Sequence, residues 1–314
     1  MPVILSPSSA PPSGPGSQFP DVGFASATWI DPQGNRWPLT DTNPSRGYFT
    51  LSAGVSGLGA APITLTTDDY PRGGVKVRHI QPDPRVVVWP IHVYGDSHTE
   101  FLGRWRQLAR AFSNTKRYGP GWLEISRPDG SRRRISAYYQ EGFEGLGSQG
   151  SGIISDSAVL SLYCPDPYWI DPDAVLIHRE YAAAATSFFS PYPTVSSSQV
   201  LGDTTAVNPG DETAWPTWTI TGPASAITAT NNSTGESFVL TPTSALTSGQ
   251  KVFITTDPPT VRYQDGSNWI SKLSWPDAVL WGLLPGLNNV TFTLSGSNTG
   301  SAVDLSFNSR YETA

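Results

Sequence analysis

Ser97-His98-Thr99-Glu100-Phe101-Leu102-Gly103-Arg104-Trp105-Arg106-Gln107-Leu108-Ala109-Arg110-Ala111-Phe112-Ser113 carries helical periodicity in a sequence whose other segments read as strands and turns. Ser97 stands where an N-cap hydroxyl accepts a backbone N–H, and Glu100, three residues on, completes a capping box. Phe101, Leu102, Trp105, Leu108, Ala109 and Phe112 recur at the spacing of one helix face, with Arg104, Arg106 and Arg110 mainly outside it. Glu100 and Arg104 form an i,i+4 pair. The pattern predicts a helix over about 97–113, closed by Gly119-Pro120-Gly121. A lone amphipathic helix must lay its stripe on a partner, so it is expected to cover an open sheet or barrel mouth.

Outward from that helix the grammar is strand, turn, strand. Thr28-Trp29-Ile30 and Asn35-Arg36-Trp37 flank Asp31-Pro32-Gln33-Gly34, and Leu123-Glu124-Ile125 and Arg134-Ile135-Ser136 flank Pro128-Asp129-Gly130. In the second half, Ile227 and Phe238-Val239-Leu240 flank Asn231-Asn232-Ser233-Thr234-Gly235. Val261-Arg262-Tyr263 and Asn268-Trp269-Ile270 flank Gln264-Asp265-Gly266. Asp-Gly and Asn-rich turns supply the positive φ that tight hairpins need. Composition agrees: 30 Gly and 29 Pro punctuate the chain, while 11 Trp, 12 Tyr and 12 Phe provide core surface. Only 15% of its 314 residues are charged, against ~25% in ordinary domains. The chain reads as mainly β, with a barrel or sandwich around the helix and a β-sandwich after it.

The two halves differ electrically. Up to residue 165 there are 15 basic and 13 acidic residues, and from 166 on there are 5 and 13. A net charge of −6 argues against a broadly basic nucleic-acid binder. The expected organisation is a Pro/Ser/Gly-rich arm over 1–24, a first domain over 25–165, a connecting segment over 166–207 and a second domain over 208–314. No apolar run reaches the ~18 residues of a membrane span, and the N-terminus lacks the pattern of a signal peptide. The protein is therefore expected to work where it is made, or to be carried out as part of something larger. Cys164, alone, has no internal disulfide partner and ends an apolar run, which fits a buried small hydrophobe.

Chemistry is sparse. His79, His92, His98 and His178 fit no metal-ligand spacing, and neither a nucleophile elbow nor a P-loop is present. Gly145-Leu146-Gly147-Ser148-Gln149-Gly150 matches a dinucleotide string, but a strand follows where that motif needs a helix. Asp68-Asp69 and Asp211-Glu212 read as solvated turns. No catalytic, metal or cofactor-binding residue is assigned, and no enzyme is expected. Arg132-Arg133-Arg134 is the one basic run. Strand neighbours point to opposite faces, which leaves a solvated hairpin arm, a subunit contact or a channel-facing position. Trp29, Trp89, Trp105 and Trp281 sit in apolar patterns as core candidates, while Trp269, beside a turn, is the candidate for stacking on a sugar ring.

The order of elements, with several local strings, resembles the siphophage-type distal tail proteins. Gly47-Tyr48-Phe49-Thr50-Leu51, Gly57-Leu58-Gly59 with Pro62, the Val86–Trp89 strand, the Tyr94-Gly95-Asp96 lead-in to the Trp105 helix, and Leu162-Tyr163-Cys164-Pro165-Asp166-Pro167-Tyr168-Trp169 carry the first half of the resemblance. Asn208-Pro209-Gly210-Asp211, Trp215-Pro216-Thr217-Trp218, Ile220-Thr221-Gly222-Pro223, Leu283-Leu284-Pro285-Gly286-Leu287-Asn288 and Arg310-Tyr311-Glu312-Thr313 carry the second. The composition is similar to versions from phages of actinobacterial hosts.

The resemblance covers roughly 25–314. It implies a tail-tube-like N-terminal domain that builds a homohexameric ring, and a galectin-like C-terminal β-sandwich on its outside. The implied partners are further copies of the chain, the tail tube protein, the tail-tip hub, the tape-measure protein and side fibres. DNA would pass through without specific binding, and nothing would insert into a membrane. The implied location is the distal end of a long non-contractile tail in the virion, after synthesis in the host cytoplasm. A chain at −6 per copy suits a DNA conduit. The alternative is a carbohydrate-binding module that attaches the virion to host cell-wall glycans through the C-terminal domain.

Overall fold

A computed structural model describes residues 25–40, 43–51, 53–145, 154–181 and 201–314. The Pro/Ser/Gly arm expected before residue 25 and most of the Gly145–Gly150 string lie outside these residues. The chain forms two compact units. The first runs to Trp169 and takes back Thr313–Ala314, and the second is Ile170–Glu312.

In the first unit the strands are β1 (Ser26–Ile30), β2 (Arg36–Pro38), β3 (Tyr48–Thr50), β4 (Ile63–Asp69), β5 (Val75–Pro82), β6 (Arg85–Tyr94), β7 (Gly121–Ser126), β8 (Arg132–Glu141) and β9 (Ser155–Cys164). The helix α1 (His98–Ser113) follows β6, and the single turn α2 (Thr115–Tyr118) follows α1. One sheet has the order β2-β1-β7-β8-β9-β6-β3, every neighbour antiparallel. β8 pairs with β7 through Ala137 and with β9 from Tyr138 on, so one strand serves both halves of the sheet.

α1 forms where its caps and stripe require. Ser97 Oγ accepts the Glu100 N–H at 3.3 Å, Glu100 Oε2 accepts the Asp96 N–H at 3.0 Å, and Glu100 pairs with Arg104 at 2.6 Å. Phe101, Leu108, Ala111 and Phe112 are buried. Phe112 stacks on Trp29 with centroids 4.8 Å apart, and Trp29 Nε1 donates to the Ala111 carbonyl at 3.2 Å. Such a ring pair contributes roughly 0.5–1.5 kcal/mol beyond its buried area. Trp29, Trp89 and Trp281 are core residues, as expected. Trp105 is not. It lies half-buried between Phe101 and Phe143, because its position at the margin of the stripe leaves one side uncovered.

The first hairpin closes around Asp31. Its buried carboxylate accepts the backbone N–H groups of Gln33 and Asn35, the Asn35 amide and Trp37 Nε1. At the β7–β8 turn, hydrogen bonds from the Ser131 hydroxyl and backbone N–H hold Asp129 below the usual carboxylate range.

The second unit contains the remaining strands. They are β10 (Trp169–Ile170, shared with the boundary), β11 (Val175–Glu180), β12 (Asp203–Asn208), β13 (Thr217–Thr221), β14 (Ala226–Asn231), β15 (Glu236–Leu240), β16 (Lys251–Thr255), β17 (Thr260–Tyr263), β18 (Gly286–Ser295), β19 (Ala302–Phe307) and β20 (Arg310–Tyr311). Two sheets, β11-β19-β13-β16-β17 and β12-β18-β14-β15, enclose the core. At its centre Trp218 meets Phe238, Trp281 and Phe292 edge-on at 4.8–5.4 Å. Trp218 comes from one sheet and Phe238 and Phe292 from the other, which is the packing of a β-sandwich.

Two segments differ from their sequence reading. Residues 175–180 and 203–207, placed in a connecting segment over 166–207, belong to the strands β11 and β12, pairing with β19 and β18. Val175, Ile177 and Ala206 face the core, an alternation too short to stand out beside the acid- and proline-rich run before it. After the Gln264-Asp265-Gly266 turn, only Asn268 bridges back to Arg262, and Ile270–Lys272 is a 3-10 turn.

Candidate assembly surface

β4 and β5 form a two-stranded sheet of their own in the first unit. Its base is held by the Asp83 N–H donating to the Pro62 carbonyl at 2.8 Å and by Thr64 Oγ1 donating to Asp83 Oδ2 at 2.5 Å. Its tip turns through Tyr70–Gly74, where Gly73 and Gly74 take φ of 90° and 88°, a conformation open to glycine. Every residue from Ile63 to Pro82 is exposed. An isolated two-stranded hairpin is marginal in water.

The register separates the two faces. Ile63 pairs with Pro82, Leu65 with Ile80, Thr67 with Val77 and Asp69 with Val75, with an irregularity between Thr66 and Thr67. Cross-strand partners share a face and alternate residues change face. One face therefore gathers Ile63, Leu65, Val75, Val77, Ile80 and Pro82, with Thr67 and Asp69 beside the two valines toward its tip. The other presents Thr64, Thr66, Asp68, Lys76, His79 and Gln81, with Arg78 ion-paired to Asp68 at 2.6 Å. The five aliphatic side chains on the apolar face are 45–57% exposed. Sequence reading missed this arm and treated Asp68-Asp69 as a turn. The available signal was the Ile63/Leu65 and Val75/Val77 alternation around Pro71-Arg72-Gly73-Gly74.

A second apolar area lies on the main sheet. Val87, Trp89, Ile91 and Val93 of β6 point into the core; on the opposite face Val86 is exposed, Val88, His92 and Tyr94 are half-buried and Pro90 is buried. Val86 pairs with Tyr163, which pairs with Tyr138, and Pro90 pairs with Val159. Val86, Tyr138, Val159 and Tyr163 are all exposed. At the far end Phe49 lies 5.3 Å from His92 and 6.1 Å from Tyr94, and His92 Nδ1 is 2.8 Å from Ser157 Oγ.

The sequence-selected residues go elsewhere. Arg133 donates to the Thr313 carbonyl and hydroxyl, and Arg134 lies 4.5 Å over the Trp122 ring. Arg132, which begins β8, is half-buried. Arg133 and Arg134 thus each have a partner within the first unit. Trp269 stacks flat on Tyr263 at 4.6 Å and packs against the core, so one ring face is already used. The more exposed tryptophan is Trp275. Asp68 lies on β4 rather than in a turn.

Burial raises the Cys164 thiol to about 12. His178 is raised by its hydrogen bond to Asp304, 2.5 Å away, against a smaller opposing effect of burial. Among the described residues no three His, Cys, Asp or Glu side chains form a metal-binding group, and no helix is long and apolar enough to cross a membrane.

Residues 209–311 match the family described as siphovirus-type tail component, C-terminal domain. Among solved structures, the chain is similar to the Dit protein of phage SPP1, described as a paradigm of the hub adsorption apparatus in phages infecting Gram-positive bacteria. The TM-score is 0.61 at 15% identity, covering 91% of this chain and 98% of that one. It is also similar to chains of the phage p2 baseplate in its activated conformation. With calcium the TM-score is 0.53 at 11% identity, covering 92% and 99%. With strontium it is 0.55 at 12%, covering 93% and 100%. No curated protein matches by sequence. The matched residues lie within the second unit. Over nearly its whole length the chain shares the fold of these distal tail and baseplate chains, the mainly β fold that the sequence resemblance led us to expect.

Proposed function

We propose that this protein is a structural subunit of the virion, forming a homohexameric ring at the distal end of a long non-contractile tail. The ring joins the tail tube to the tip or baseplate and leaves a channel for DNA and the tape-measure protein. The observation that carries this reading is the β4–β5 arm, a hairpin whose apolar face is bare along its whole length. A water-soluble monomer gains nothing from such a face, whereas a subunit that buries it against a neighbour gains an interface. The C-terminal tail-component domain and the fold shared with hub and baseplate proteins support the same role. Ring closure is the expected result of one heterologous contact repeated around an axis.

The test is the mass of the purified protein by light scattering, followed by negative-stain imaging. A species near six times 33.8 kDa with a central hole is expected. A protein that stays monomeric at every concentration, and is not recruited to purified tail tubes, would refute the ring.

A further inference from the structure

We propose that the outward face of α1 and α2 docks an acidic protein partner through Arg106, Arg110 and Arg117. This face is independent of the ring reading and serves whether or not the chain closes a ring. The Asn114 N–H donates to the Arg110 carbonyl and the Tyr118 N–H to the Asn114 carbonyl, so the helical path runs on from α1 into α2. At 3.6 residues per turn, offsets of four and seven residues return to nearly the same side. Arg106, Arg110 and Arg117 therefore form one row about 16 Å long. The row lies opposite Phe101, Leu108 and Phe112, which α1 buries. All three arginines are exposed, as are Lys116 and Tyr118 beside them.

Elsewhere the chain pairs its arginines. Twelve of the sixteen have a partner among the described residues, and the other four are Arg72, at the tip of the β4–β5 arm, and these three. From Phe101 to Leu123 the sequence holds five cations and no acid. Glu100, the one carboxylate of α1, is taken up by Arg104 and the Asp96 N–H. Arg106 and Arg110 stand four residues apart, a like-charge spacing that weakens a helix, and carboxylates on a partner reverse that repulsion. The helix dipole favours cations in the last turn, which accounts for Arg110 and not for Arg106 in mid-helix. Arginine and tyrosine are residue types that protein interfaces enrich, and the guanidinium fork matches a carboxylate with two hydrogen bonds. A nucleic acid fits less well. Its phosphates, one per ~1.7 Å of duplex, run on past the row over a chain of net charge −6, whereas a compact acidic protein face meets the row alone.

The test is the binding of poly-L-glutamate to the full-length protein at low salt, measured by calorimetry. The chain is itself acidic, so attraction of this probe reports a local cationic surface. Arg106→Gln/Arg110→Gln/Arg117→Gln should bind at least about tenfold more weakly, and ~150 mM salt should weaken wild-type binding several-fold. The same three positions changed to Lys should keep most of the binding, and Lys251→Gln/Lys272→Gln should keep all of it. Gln and Lys are both good helix formers, so the melting midpoints should not move. Phenylglyoxal labelling of the unmodified protein, read by mass spectrometry, locates the contact without any substitution: the probe should shield Arg106, Arg110 and Arg117.

A wild type that ignores poly-L-glutamate, or a triple Gln variant that binds it as well as the wild type does, would overturn the proposal. Shielding confined to other arginines would overturn it equally. Duplex DNA that binds more tightly than poly-L-glutamate, and is lost in the same Gln variant, would make this a phosphate-binding face and refute the protein partner.

Discussion

Removing the arm is the most direct perturbation the structure offers. The Asp83 N–H and the Pro62 carbonyl already lie 2.8 Å apart, so Ile63–Pro82 can be replaced by two glycines without moving the strands on either side. Every excised residue is exposed, so the deletion removes no buried side chain from the first unit and its melting midpoint should stay within about 1–2 °C. Assembly should respond very differently. Fully burying a large aliphatic side chain contributes about 1.5–3 kcal/mol, and five such groups here retain roughly half their area to bury, or about 1 kcal/mol each. Even if ordering the arm cancels half of that sum, some 2–3 kcal/mol per contact is lost. That amounts to a 30- to 150-fold weaker association at each contact of the proposed ring. Concentration-dependent light scattering, with calorimetric melts run in parallel, measures both quantities. An arm-less protein that assembles at wild-type concentration would refute the reasoning. So would a first-unit melt lowered by many degrees, because the arm would then belong to the core.

Phe112→Ala empties a fully buried site beside Trp29 and should cost about 3–5 kcal/mol, whereas half-buried Trp105→Ala should cost less than half as much. Equal losses in urea titrations would contradict the packing of α1. His178 has a raised folded pKa, so its contribution is complete below about pH 6.5 and fades as pH rises through the folded value. The stability gap between wild type and His178→Gln should therefore shrink from pH 6 to pH 9 in chemical melts, and a gap that widens would contradict the Asp304 interaction. Cys164, buried with its thiol pushed up to about 12, should resist maleimide at pH 7.5 until the first unit unfolds. Stopping the chain at Glu312 removes the Ala314 N–H bond to the Leu58 carbonyl and the carbonyls that accept from Arg127 and Arg133. Calorimetry should then show a lower melt of the first unit by a few degrees and an unchanged second unit.

Much of this fold is written locally, and those parts were legible. The capping box of Ser97 and Glu100, the Phe101/Leu108/Phe112 stripe and the turns at Asp31–Gly34 and Pro128–Gly130 each act within a few residues. Pattern and structure therefore agree there. The failures share a physical cause. β11 and β12 are short strands whose inward residues find partners 78 or more positions away, on β19 and β18, and no local signal marks that pairing. Trp269 looked exposed because it follows a turn, yet Tyr263, six residues earlier, covers one of its faces.

The arginine run shows the same limit from the other side. Charge density at Arg132-Arg133-Arg134 suggested an outward role, but Arg133 is spent on Thr313, 180 residues away, and Arg134 on the Trp122 ring. The β4–β5 arm is the most instructive case. Its alternation of Ile63, Leu65, Val75 and Val77 is an ordinary amphipathic pattern, and such a pattern in a single chain predicts a buried face. Here the face is bare, since no other part of the described residues lies on it. Period-two hydrophobicity requires that a strand be covered and leaves open whether the cover belongs to the same molecule. In the proposed ring the missing half of that core is a neighbour. The assembly surface is therefore found where a sequence that should be buried is left exposed.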